Sequence, residues 1–132
     1  MIGTGYLCPT ITLPVTILIV DDEPLDLFIA KTTLQGEFRV EGFTTMEEAV
    51  AWSSANDFDA ILIDYYLGPD TYATHVLKAL QALKPLPIRN AYVLSNYVNN
   101  AQASELRAAG FEGVIDKPIS LTAVRRKLLP SS

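Results

Sequence analysis

Short apolar runs, each closing on a polar residue and each separated from the next by a stretch of helical spacing, constrain this chain more than any other feature. Val15-Thr16-Ile17-Leu18-Ile19-Val20 is a near-continuous β-branched run that ends on Asp21-Asp22. A run with no polar face belongs to a parallel strand covered on both sides. Phe58 to Ile63 leads in the same way to Asp64, Ala91 to Leu94 leads to Ser95, and Gly113-Val114-Ile115 leads to Asp116-Lys117-Pro118. Strands that alternate with helices run parallel, so their carboxyl ends share one edge of the sheet, where open α/β sheets bind ligands. The expected fold is a three-layer α/β/α sandwich around a five-stranded parallel sheet, with right-handed crossovers.

The intervening segments supply the helices. Pro24 suits a first helical turn, and Leu25, Phe28, Ile29 and Leu34 fall near helical spacing up to Gly36. Phe38 to Phe43 alternates apolar and polar, as a strand nearer the sheet edge does, and Thr44-Thr45-Met46-Glu47-Glu48 offers overlapping capping boxes for a second helix ending near Asn56. A third helix carries Val76, Leu77, Leu80 and Leu83 and stops before Pro85 and Pro87. The fourth, from the Asn96–Asn100 region to Gly110, is only modestly apolar and is expected to be weakly anchored. Ser120 caps a fifth, with Leu121, Val124 and Leu128 inward and Arg125, Arg126 and Lys127 near its carboxyl end. Residues 1–14, with Gly3, Gly5, Pro9 and Pro14, have no usable period and read as an N-terminal extension to a domain over 15–130.

At 132 residues the chain suits one domain with a real core. Its net charge of −5, with no basic stripe beyond Arg125-Arg126-Lys127, argues against direct nucleic-acid binding. The lone Cys8 forms no internal disulfide, residues 1–14 lack the pattern of a signal peptide, and no apolar stretch approaches a membrane span. A soluble, cytoplasmic protein with no membrane contact is expected.

Three carboxylates, a hydroxyl and an ammonium gathered at one sheet edge would hold a divalent cation and a phosphoryl group. A carboxylate alone is a poor nucleophile toward phosphorus, because it repels the phosphoryl oxygens; a bound cation removes that obstacle. Mg²⁺ prefers octahedral oxygen coordination and retains several waters. Asp22 and Asp64 are the expected direct ligands, with Asp21 acting through water or supporting the ligands from behind, and the main-chain carbonyl of Tyr66 as a neutral ligand. Asp64 is the expected phosphoacceptor, Lys117 the cation for one phosphoryl oxygen, and Ser95 the hydrogen-bond donor to another. Each of these residues taken singly is more readily a helix cap, a turn residue or a solvated charge. Their arrival at four separate strand ends is what favours a site.

Ile19-Val20-Asp21-Asp22, Ile61-Leu62-Ile63-Asp64, Val93-Leu94-Ser95 and Asp116-Lys117-Pro118 together resemble the receiver domain of two-component response regulators, over residues 15–129. The resemblance implies strand order 2-1-3-4-5 and Mg²⁺ organised by Asp21, Asp22 and Asp64. It implies phosphate transfer to Asp64 from a histidine kinase or phosphotransfer protein, with Ser95 and Lys117 reading the phosphorylated state, and a cis bond between Lys117 and Pro118. It further implies a signalling switch rather than an enzyme. Such a switch meets a downstream protein through the face of the fourth helix, fifth strand and fifth helix, with homodimerisation on phosphorylation as an option.

The chain departs from the family at Val114, where an aromatic residue usually stands three positions before the lysine, and at Asn96, where a small residue usually follows the hydroxyl. Tyr66 and Tyr97 are expected to screen an acyl phosphate from water. The alternative these departures motivate is a pseudo-receiver, an interaction module with little or no phosphorylation. A magnesium-dependent phosphatase fits less well, because Tyr66 occupies the place of its second acid. His75 with Lys78 is no phosphotransfer motif, since strands flank it on both sides.

Overall fold

The computed structural model describes residues 15–128. The expected extension over 1–14 and the last two residues of the 15–130 unit lie outside the described residues. Ten elements alternate strictly: β1 (Thr16–Val20), α1 (Pro24–Leu34), β2 (Arg39–Phe43), α2 (Met46–Ser53), β3 (Ala60–Asp64), α3 (Ala73–Gln81), β4 (Ala91–Ser95), α4 (Asn100–Ala108), β5 (Gly113–Asp116) and α5 (Leu121–Leu128). The strands form one sheet in the order β2-β1-β3-β4-β5, with every pair parallel, as expected.

Period-two alternation sends successive side chains of each strand to opposite faces. Ile17, Ile19, Leu62, Leu94 and Ile115 pack with Leu27, Ala30 and Leu34 of α1 and Val124 of α5. Leu18, Val20, Ile61, Ile63 and Val93 pack on the other face with Ala49 of α2, Val76, Leu77 and Leu80 of α3, and Leu106 of α4. Each fully buried aliphatic side chain contributes about 1.5–3 kcal/mol, so the central strands β1, β3 and β4 hold the sheet edge rigidly. The register leaves the strand ends level: Val20 lies opposite both Phe43 and Ile63, Asp64 opposite Leu94, and Ser95 opposite Asp116.

The apolar face of α1 differs from the expectation. Leu27, Ala30 and Leu34 are its buried residues, while Leu25 and Phe28 are 65% and 66% exposed and Ile29 also faces outward. Both stripes have helical spacing, because α1 is apolar on most of its circumference, so spacing alone does not choose between them. Leu83 likewise lies beyond the end of α3 and is exposed. The helix α2 stops at Ser53, short of Asn56, where the Lys84 ammonium donates to the carbonyls of Ser53 and Asn56 at 2.9 Å each.

Caps follow the sequence closely. Thr45 accepts from the Glu48 amide at 3.1 Å, and Ser120 accepts from Ala123 at 3.1 Å. The helix α4 buries only Leu106 and starts with a reciprocal Asn99–Gln102 capping box, matching its expected weak anchorage.

Candidate functional site at the carboxyl edge of the sheet

The residues that converge do so because their strands end level. The Asp21 amide donates to the Phe43 carbonyl at 3.0 Å, extending the ladder one residue past β1. That contact fixes the Asp21 side chain at the sheet edge, where it is 1% exposed. Its Oδ1 accepts from the Glu23 amide at 3.0 Å, tying the carboxylate to the turn into α1. Asp22 is exposed beside it, and Asp64, the last residue of β3, is partly buried. Among the described residues, ligand atoms of Asp21, Asp22 and Asp64 come within 4.8 Å of one another.

Lys117 follows β5. Its amide donates to the Ser95 carbonyl at 3.0 Å, and the Lys117-Pro118 bond is cis, as the resemblance implied. The ammonium stands 2.9 Å from Asp21 Oδ2, 3.2 Å from Asp64 Oδ1 and 3.2 Å from Asp26 Oδ2, with the side chain only 13% exposed. Burial alone would lower the Lys117 pKa, but the hydrogen bond and charge of Asp21, aided by Asp64 and Asp26, raise it overall and keep the group protonated. Asp64 is pushed up to about 6, first by desolvation and then by the charge of Asp21, with Lys117 opposing and Asp22 adding a smaller rise.

Three carboxylates therefore meet one ammonium with Asp22 beside them, an imbalance that a bound cation would relieve. The all-oxygen donor set of Asp21, Asp22 and Asp64, graded from buried to exposed, fits a hard divalent ion that keeps part of its water shell. An adjoining cleft of about 250 Å³ is lined by Asp21, Asp26, Ile29, Asn96, Lys117 and Ile119.

Ser95 is at the edge but points along its own loop. Its hydroxyl donates to the Tyr97 carbonyl at 2.9 Å and accepts from the Tyr97 amide at 3.1 Å. Tyr66 belongs to an ordered turn: it pairs with Tyr72 across an isolated antiparallel bridge, and their rings lie 5.2 Å apart. Tyr66 and Tyr97 are both exposed, so their rings stand at the rim. Val114 is partly buried against the core beside a second cleft of about 290 Å³, bounded by Val98, Leu106, Asp116 and Lys127.

The model of the response regulator receiver domain matches residues 17–129. The chain belongs to that family. The receiver is 28% identical over 121 residues to the rice (Oryza sativa subsp. japonica) protein named Two-component response regulator ORR1, covering 83% of this chain and 52% of the relative. It thus spans about half the length of the curated relatives it matches. It superposes on the CheY-like receiver domain protein of Methanospirillum hungatei JF-1 with a TM-score of 0.73 at 28% identity, covering 88% of this chain and 94% of that one. Chemotaxis protein CheY4 of Vibrio cholerae gives 0.76 at 24% identity, covering 88% and 97%, a likeness of fold. Receiver domains are signalling modules of two-component systems.

Two residues of the site were not among the sequence candidates. Asp26 reaches Lys117 from the first turn of α1, and no sequence pattern announces it, since the contact depends on how that helix is rotated against the sheet. Gln102 of α4 donates to the Tyr65 hydroxyl at 3.4 Å, linking the residue after Asp64 to the start of α4; no sequence pattern announces that pair.

Proposed function

We propose that this receiver is a phosphorylatable switch in which Asp64 accepts a phosphoryl group from the phosphohistidine of a sensor histidine kinase or phosphotransfer protein. The observation that carries the reading is the meeting of Asp21, Asp22 and Asp64 within 4.8 Å, with the Lys117 ammonium 3.2 Å from Asp64. An Asp64 carboxylate oxygen attacks phosphorus, the O–P bond forms as the P–N bond breaks, and the departing imidazole nitrogen keeps the electron pair and takes a proton from solvent. Asp22, Asp64 and the Tyr66 main-chain carbonyl, with Asp21 through water, would hold Mg²⁺, which when bound neutralises charge on the phosphoryl oxygens. Lys117 pairs with one phosphoryl oxygen. Ser95 supplies a hydrogen bond to another once its hydroxyl leaves Tyr97.

Leaving Tyr97 frees the β4–α4 loop, and α4, which follows that loop and buries only Leu106, costs little to move. The phosphoryl group, carrying about two negative charges where the Asp64 carboxylate carried one, thereby changes partner binding at the α4–β5–α5 face, with dimerisation there as one form of output. The molecule acts in the cytoplasm as a switch rather than as an enzyme on other substrates. No described helix is long and apolar enough to cross a membrane.

A pseudo-receiver is the second reading, favoured by Val114 and by an ammonium already engaged with three carboxylates. Incubation with acetyl phosphate and Mg²⁺, followed by intact mass, separates the two. A label that Asp64→Asn abolishes supports the switch; neither label nor a beryllofluoride-induced spectral shift leaves the pseudo-receiver.

A further inference from the structure

We infer that Asp26 is a releasable anchor that holds the Lys117 ammonium back from the phosphoryl position; this rests on the reading of Asp64 as phosphoacceptor. Three carboxylates crowd the Lys117 ammonium: it donates hydrogen bonds to Asp64 and Asp26 at 3.2 Å each and makes an ion-pair contact with Asp21 at 2.9 Å. The ammonium reaches a phosphoryl oxygen only by moving from the position these three contacts give it. Asp21 and Asp64 belong to the carboxylate group placed to bind a cation, and a cation there would draw both away from the ammonium. Asp26 is outside that group and comes from the first turn of α1 rather than from a strand end. Lys117 is its one side-chain partner among the described residues, so nothing in the loaded site displaces Asp26 except competition for that ammonium.

The surroundings set the direction of the effect. The Lys117 side chain is only 13% exposed and lines a cleft with Ala30, Leu94 and Ile119, where its ion pairs are stronger than in open water. Asp26, at 42% exposure, regains water when released, which makes it the least costly of the three contacts to break. The same exposure screens its direct repulsion of a phosphoryl group, so its influence runs through Lys117. Asp26 is thus a positioning residue whose removal favours the phosphorylated arrangement.

The test is a titration of the full chain with beryllofluoride at saturating Mg²⁺, following backbone amide resonances of the site. Asp26→Asn is expected to bind beryllofluoride about threefold more tightly than the wild type. Glu23→Gln removes an equal charge from the same helix start, where the side chain makes no cap bond, and is expected to leave the affinity within about 1.5-fold. An unchanged or weaker affinity for Asp26→Asn overturns the anchor, as does an equal gain from Glu23→Gln, which would make the effect one of general charge. A wild type that takes no beryllofluoride overturns both the anchor and the phosphoacceptor reading; one that binds it while Asp26→Asn is no tighter overturns the anchor alone.

Discussion

The Lys117 ammonium stands 3.2 Å from Oδ1 of Asp64, a residue 53 positions earlier in the chain, and both are anchored by strands that end at the same level of the sheet. That closeness makes an acyl phosphate at Asp64 chemically reasonable, because the developing charge has a fixed cation beside it. Replacing Asp64 by Asn removes the nucleophile and keeps the shape. Asp64→Asn is expected to take no label from acetyl phosphate and Mg²⁺, and peptide mapping of the wild-type label should place it on Asp64.

The same carboxyl makes stability depend on pH. Its folded-state pKa is raised from 3.8 to about 6, chiefly by desolvation, so between those values the native state holds more protons than the unfolded chain. Stability contributed by this group is full below pH 3.8 and is lost as pH rises through about 6. Allowing for the partial exposure of the group, Asp64→Asn should gain about 1 kcal/mol over the wild type at pH 8 without Mg²⁺, and little at pH 4. Urea midpoints at the two pH values measure the difference.

Lys117→Ala leaves Asp21 buried beside Asp64 with no cation, which should cost about 1–3 kcal/mol in metal-free buffer. Removing the competing ammonium also leaves the carboxylates open to a divalent ion. Added Mg²⁺ is therefore expected to raise the melting temperature of Lys117→Ala more than that of the wild type. In the acetyl phosphate assay this variant should still be labelled while losing the response of α4, read by hydrogen exchange.

Most of the fold, and the meeting of Asp21, Asp22, Asp64 and Lys117 at one sheet edge, were legible because they depend on signals that tertiary packing does not override. A run such as Ile17-Leu18-Ile19-Val20 has no polar face to expose, so it becomes a central strand, and the polar residues after it arrive at the sheet edge by topology alone. The phase of α1 was not legible, because Leu25, Phe28 and Ile29 form as good a helical stripe as Leu27, Ala30 and Leu34. What distinguishes the buried stripe is its packing against Ile17, Ile19 and Leu62 of the sheet, which is a tertiary quantity. Asp26 was hidden for the same reason: its partner Lys117 is distant in sequence and is reached only once α1 is correctly rotated.

Gly42 tests that rotation. A Cβ at this position would lie 2.7 Å from Leu27 Cδ1 and 3.0 Å from Lys31 Cδ, so the side chains of α1 occupy the space that a larger residue on β2 would need. Gly42→Ala must push Leu27 out of its place in the core or shift α1 away from the sheet. A loss of about 1–3 kcal/mol is expected, typical of overpacking in a well-filled interior. The strain falls on the helix that carries Asp26, so the displacement should also weaken its contact with Lys117. The variant is therefore expected to show a lower urea midpoint together with tighter beryllofluoride binding than the wild type, whereas a lower midpoint with unchanged binding would mean that Leu27 alone gives way and α1 keeps its place.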